Sequence, residues 1–156
     1  MQVTIAAVGT RLEQWIYEAV ESYRTRLPRH LTLTVQEVPL ARRTAGSNVR
    51  TAVETEGERL LRHVRTDALT LALDEHGQQW SSPELAAQLR TWLDRHPHVT
   101  ILIGGPDGLA ERCRSRASRL WSLSRLTLPH GLVRVVLAEQ IYRAWTILQG
   151  HPYHRP

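Results

Sequence analysis

The chain has 156 residues and a mass of 17.8 kDa, enough for one domain, residues 1–156, that buries roughly 70% of its unfolded surface. Apolar residues at 42% and charged residues at 22% exclude a disordered, collagenous or fibrous chain. The net charge is +5 and all 20 basic residues are arginine, so P-loop chemistry and lysine Schiff-base chemistry, pyridoxal phosphate included, are excluded.

Val3–Val8 reads as a short apolar strand ending at Gly9. Leu12–Leu27 carries Leu12, Trp15, Ile16, Ala19, Val20 and Tyr23 at helical spacing, with Pro28 as the stop. Leu31, Leu33 and Val35 alternate with polar residues, a half-buried strand followed by Val38. Pro39–Asn48 is a polar loop whose Arg42 and Arg43 are candidate RNA contacts. Asn48 caps a helix to about Val64. Ala68–Leu73 is a buried strand, and Asp74–Gly77 turns the chain. Ser82-Pro83-Glu84 is a capping start, with proline at the first helical position, for a helix to about Arg95. Val99–Ile103 is a near-continuous apolar strand of the kind a sheet covered on both faces requires. A GGPDGL turn, a short helix to about Ala117, a strand at Leu120–Leu123 and a helix at His130–Leu148 complete the order. Strands alternate with helices, which predicts an α/β fold with a mostly parallel sheet flanked by helices.

The last helix is apolar nearly all round, from Leu132 and Val133 to Ile147 and Leu148. A surface helix needs only one apolar stripe, so a second subunit is expected on its other side. No apolar run approaches the ~20 residues of a membrane span, and the N-terminus turns charged too early for a secretory leader. A soluble cytoplasmic chain without a membrane partner is expected. The charge is uneven: residues 111–156 hold eight arginines against Glu111 and Glu139, and the remainder is close to neutral. Such a one-sided field suits either a polyanion such as RNA or a solvated face.

Ligands of open α/β sheets bind beyond the carboxyl ends of strands. Three such ends stand out: Leu73-Asp74-Glu75, Ile103-Gly104-Gly105-Pro106-Asp107-Gly108 and Leu123-Ser124-Arg125-Leu126-Thr127-Leu128. Gly104 and Gly105 permit close backbone approach. The mixed apolar and hydroxyl loop at 123–128 fits either a core turn or an amphipathic ligand such as an adenosine. No GxGxxG exists. The pairs His96-Pro97-His98 and His151-Pro152-Tyr153-His154 lack an acidic or cysteine partner at ligand spacing, so no metal is expected. With a single cysteine, Cys113, there is no intrachain disulfide, and without a G-x-S-x-G elbow covalent catalysis is not expected. Glu139 and Arg143, one turn apart, read as a salt bridge. The terminal HPYHR sets Tyr153 and two imidazoles beyond an apolar helix, chemistry that suits stacking on a base and accepting a proton, unless it is a purification scar.

The segments LDEHGQQWSSPELA, ILIGGPDGL, LSRLTLPHGLVRVVLAEQIYRAW and HPYHR together resemble the RlmH family, bacterial 23S rRNA pseudouridine N3-methyltransferases of the SPOUT, or α/β-knot, superfamily. The resemblance runs from VGTRLEQW to the C-terminus. It implies a SPOUT-type fold with a C-terminal trefoil knot, an exception to the usual absence of knots. It further implies S-adenosylmethionine bound by Leu73, Gly104, Leu123, Ser124, Arg125, Leu126, Thr127 and Leu128. A homodimer whose partner completes each active site is implied, as is methylation of a pseudouridine of 23S rRNA within the assembled 70S ribosome. Because N3 must lose a proton, His130, Tyr153 and His154 are candidates to accept it or to position the base. Arg143 and Arg134 are candidates for anion stabilisation, and Arg42, Arg43, Arg134 and Arg155 for RNA contact. The family commonly has lysine where this chain has arginine, and the Arg42-Arg43 loop matches only loosely. A SPOUT enzyme acting on a tRNA ribose and a non-catalytic ribosome-binding factor are the alternatives.

Overall fold

In the computed structural model, which describes residues 1–46 and 48–156, five strands form one sheet. They are β1 (Gln2–Val8), β2 (Thr32–Val38), β3 (Leu69–Gln79), β4 (His98–Ile103) and β5 (Arg119–Ser122), in the order β2-β1-β4-β3-β5. Every strand pairing is parallel. Parallel strands need both faces covered, and this is why β1 and β4 are apolar on successive residues. Val3, Ile5 and Ala7 of β1 face one layer while Ala6 and Val8 face the other, all of them buried.

Five helices supply the two layers: α1 (Gln14–Arg24), α2 (Val49–Leu61), α3 (Ser82–Arg95), α4 (Glu111–Arg116) and α5 (His130–Leu148). Helices α3 and α5 send Leu85, Leu89, Trp92, Leu137, Ile141 and Ala144 into the core formed with Val3, Ile5, Leu71, Val99 and Ile101, and α1 adds Val20. On the opposite face α2 and α4 place Leu60 and Cys113 over Ala6, Ala72 and Leu102. A Cβ on Gly57 would stand 2.6 Å from the Ala110 Cβ, so glycine is what lets α2 lie against the start of α4.

The structure corrects three boundaries. Strand β3 continues to Gln79 and does not end at a turn after Leu73; Leu73 and Gln78 both stand opposite Trp121, and the residues between them are a bulge. A Cβ at Gly77 would meet the Leu120 and Trp121 backbone at 2.6 Å, so the bulge needs its glycine. The cap of α3 is Ser81, one residue before the predicted start, in a complete capping box with Glu84. Helix α1 starts at Gln14, not Leu12, because Arg11 is left-handed (φ 56°) and the Leu12 N–H donates to the Tyr17 hydroxyl at 3.1 Å. Asn48 caps α2 as its sequence predicts, accepting from the Arg50 N–H.

Among the described residues no helix is long and apolar enough to cross a membrane. Helix α5 turns Leu137, Ala138, Ile141 and Ala144 fully inward and leaves Val133, Val135, Trp145, Ile147 and Leu148 partly exposed.

Candidate active site

A parallel sheet releases all its strands at one edge, and there β3, β4 and β5 open into a cavity of about 820 Å³, within the ~300–1,000 Å³ usual for small-molecule sites. Leu73, Gly104 and the whole run Leu123–Leu128 line it, with His130 and Val133 of α5. The eight residues expected to hold a cofactor therefore meet at one place. Beyond Ser122 no strand pairing continues, so the backbone of 123–128 is not committed to the sheet.

The turn after β4 is folded tightly on itself. Gly108 is left-handed (φ 86°), its N–H donates to the Gly105 carbonyl at 3.0 Å, and a Cβ at Gly104 would lie 2.7 Å from the Gly108 carbonyl carbon. Gly104 thus lets the turn close on itself at the cavity wall. Two arginines brace this turn from outside. Arg114 donates to the Leu109 carbonyl at 2.8 Å and to Asp74 at 2.7 Å. Burial works to raise the Asp74 carboxyl, but the Arg114 guanidinium and the His76 backbone N–H outweigh it and hold it below the usual carboxylate range. Arg43 joins Asp107 at 2.8 Å to Glu56, whose carboxylate is 1% exposed and also accepts from the Ala41 N–H.

The Arg43 guanidinium, expected at RNA, is committed to two carboxylates inside the chain. Arg134, the second of these expected RNA contacts, is more deeply enclosed. It is 2% exposed, pairs with Glu37, and donates to the Gly9 carbonyl at 2.8 Å. A guanidinium so enclosed ties α5 to the ends of β1 and β2. Arg42 and Arg155 are exposed. Arg125 and Leu126 are also exposed, Leu126 at 75%, and the Ser124 hydroxyl accepts from the Leu126 N–H at 2.9 Å, shaping the loop.

His130 opens α5 at the cavity. Burial, with the nearby Arg134 charge, pushes its imidazole below its ordinary value, so it is neutral at neutral pH. The other three candidate catalytic residues lie elsewhere. Arg143 pairs with Glu139 at 2.7 Å, Tyr153 donates to Glu139 at 3.1 Å, and His154 Nδ1 stands 3.3 Å from Arg143 Nη1. The Arg143 guanidinium lies 4.8 Å from the centre of the Tyr153 ring, and the Tyr142 ring meets Tyr153 edge-on at 4.8 Å. None of Arg143, Tyr153 and His154 lines the cavity; at ~1.5 Å per residue, Arg143 lies ~20 Å along the helix from His130.

Sequence reasoning missed Glu56 and Arg114. Glu56 carried a signal: it falls on the inward side of α2 with Ala52 and Leu60, where a carboxylate needs a partner. Arg114 carried none, since one arginine among several on a short helix looks like its neighbours. The lone thiol of Cys113 is buried and pushed up to about 11 by that burial, so it is no nucleophile.

The chain matches the family model described as "Predicted SPOUT methyltransferase" over residues 1–154. It is 48% identical to the ribosomal RNA large subunit methyltransferase H of Saccharophagus degradans, over 99% of this chain and 100% of that protein. It is 49% identical to the protein of the same name from Nitrosococcus oceani, over 99% of each. The corresponding protein of Methylococcus capsulatus is 46% identical, over 99% of this chain and 100% of its own length.

Proposed function

The chain belongs to the SPOUT methyltransferase family, and from that premise we propose that it methylates N3 of a pseudouridine in large-subunit (23S) rRNA on the assembled ribosome, in the cytoplasm. The observation that carries the proposal is the cavity at the ends of β3, β4 and β5, joined to relatives of the same length that are named for rRNA methylation. S-adenosylmethionine fits the cavity: its volume suits a ligand of that size, and Leu123, Leu126 and Leu128 stand among the hydroxyls of Ser124 and Thr127 and backbone groups as an adenosine needs. Bound there, it supplies a methyl group on a sulfonium that leaves as a neutral thioether.

The protein's own task is placement and charge. Leu73, Gly104 and Leu123–Leu128 hold the donor so that N3 meets the methyl carbon in line, an effect that reaches several kcal/mol in well-oriented reactions. His130, kept neutral by burial, accepts the N3 proton at the cavity. Arg143, Tyr153 and His154 of the same chain stand too far along α5 to help, so a second copy brings its tail to the cavity and the active unit is a homodimer. The partly exposed Val135, Trp145, Ile147 and Leu148 of α5 suit burial against that copy. The loops at 104–109 and 123–128, meeting in one cavity, suit the trefoil threading of the superfamily. Exposed Arg42, Arg125 and Arg155 contact rRNA phosphates, with the arginine excess of residues 111–156 as the attracting field.

The test is methyl transfer from isotope-labelled S-adenosylmethionine to 70S ribosomes, to free 50S subunits and to tRNA, all from a strain deleted for this gene, with mass spectrometry of the RNA. Label on one pseudouridine base of 23S rRNA in 70S particles is expected. Label on a tRNA ribose, or calorimetry showing no donor binding, overturns the proposal.

A further inference from the structure

Glu139 lies on α5 among the tail residues, and no role has yet fallen to it. Its side chain is 17% exposed and gathers donors from three residues. Oε1 takes Arg143 Nε at 2.9 Å, Arg143 Nη2 at 2.7 Å and the Tyr153 hydroxyl at 3.1 Å; Oε2 takes the Gln140 amide at 2.6 Å. The Gln140 carbonyl oxygen accepts in turn from Ser82 Oγ at 2.7 Å. The tail is thereby hung from one carboxylate and braced to the first turn of α3.

The consequence falls on His154. A guanidinium only donates, so in the 3.3 Å contact between Arg143 Nη1 and His154 Nδ1 the arginine gives and Nδ1 accepts. A neutral imidazole whose Nδ1 accepts carries its hydrogen on Nε2. Tyr153 is equally committed: burial and Glu139 push its phenol up to about 12, and its proton is spent on the carboxylate. Arg143 uses three of its five N–H groups on Glu139 and His154 and keeps two. What Arg143 and His154 have left over are N–H donors.

We infer that Glu139 is a positioning residue for the transfer: by holding Arg143 it fixes His154 as the Nε2–H tautomer, so that the tail offers donors to the substrate's developing imide anion and takes no proton. The inference rests on the functional reading above, in which the tail enters a partner's cavity. The balance is complete. The N3 proton passes to His130 at the cavity, the charge left on N3 and its flanking carbonyl oxygens is met by the tail's N–H groups, and it vanishes as the N3–C bond forms and the C–S bond breaks.

Nitrogen-15 NMR of the full-length protein, with His154 assigned by comparison with His154→Gln, decides the tautomer without any assay. The expected wild-type spectrum shows a protonated Nε2 and a bare Nδ1. Glu139→Ala is expected to give mixed tautomers and a kcat for rRNA methylation roughly 100-fold lower, the order seen when one anion-stabilising donor is lost, with KM for S-adenosylmethionine unchanged. Glu139→Asp recovers part of kcat, and Glu139→Gln does not, since it lacks the charge that holds Arg143. If Glu139→Ala fails to fold, the near-isosteric Glu139→Gln gives the same comparison. A wild-type His154 with hydrogen on Nδ1, or an unchanged tautomer and kcat in both variants, overturns the inference. Wild-type protein inactive on ribosomes would sink the functional reading instead, and the spectrum would still decide the tautomer.

Discussion

Near its start α5 carries Arg134, 2% exposed, its guanidinium shared between Glu37 and the Gly9 carbonyl. Further along, the same helix carries Arg143, whose side chain is 25% exposed and whose partner Glu139 comes from the preceding turn. The first arginine joins elements distant in sequence and is enclosed by them. The second has a local partner, stacks on Tyr153, and retains N–H groups toward solvent. One residue type on one helix thus serves two purposes, and the distance in sequence to its carboxylate tells them apart. A partner far along the chain makes a strut, whereas one a single turn away leaves a tool.

The strongest way to break this contrast is to separate the two ends onto different molecules. Gly104→Val, whose side chain would strike the Gly108 backbone, and Arg143→Ala should each lose activity by roughly 100-fold or more. Mixing the two variants should then restore transfer in a methylation assay, because a mixed dimer has one intact cavity facing one intact tail. No recovery on mixing, with subunit exchange confirmed by native mass spectrometry, would mean that both ends serve a single chain.

Next in size is stability. Arg134→Ala should lower unfolding free energy by about 3 kcal/mol in urea titrations, near the low end for breaking a buried pair because Glu37 keeps some contact with water. Arg143→Ala should cost less, about 1–2 kcal/mol, because the pair is part-buried and local, its partner one turn away. Equal costs would erase the distinction between strut and tool. Glu56→Gln keeps the shape but removes the charge shared with Arg43; about 1–3 kcal/mol of stability and roughly tenfold in S-adenosylmethionine affinity by calorimetry are expected, since Arg43 links Glu56 to Asp107 in the cavity turn.

The smallest effect is a titration. The Tyr153 phenol is pushed up to about 12, above the ordinary value near 10. Its contribution to stability is therefore complete below pH ~10 and is lost as pH rises through about 12. Ultraviolet titration of the four tyrosines should show one ionising last, and Tyr153→Phe should remove that component. If another tyrosine is the late one, Glu139 does not hold the tail in solution.

Much of the layout was legible in the residues. The alternation of apolar strands and helices, the run of buried residues in β4 and the cap at Asn48 all follow from local pattern. So did the cavity residues, because strand ends with glycine or hydroxyl-rich turns are where a parallel sheet opens. The bulge in β3 was missed because Asp74–Gly77 has turn composition, and only the pairing with Trp121 on the neighbouring strand shows that β3 resumes after it. The ion pairs of Arg43 and Arg134 were hidden for a related reason: charge is visible in a sequence, but the carboxylate that neutralises it is not.

Periodicity, capping and turn chemistry are short-range properties, and they determined by themselves the elements, their parallel arrangement and the three loops that form the cavity. Which arginine is buried, which carboxylate holds the tail, and the separation of tail from cavity along α5 were decided by the tertiary structure alone. Those depend on contacts between residues far apart in the chain, Arg134 with Gly9 being 125 positions apart and with Glu37 97, and burial converts each such contact from a weak surface pairing into a fixed one.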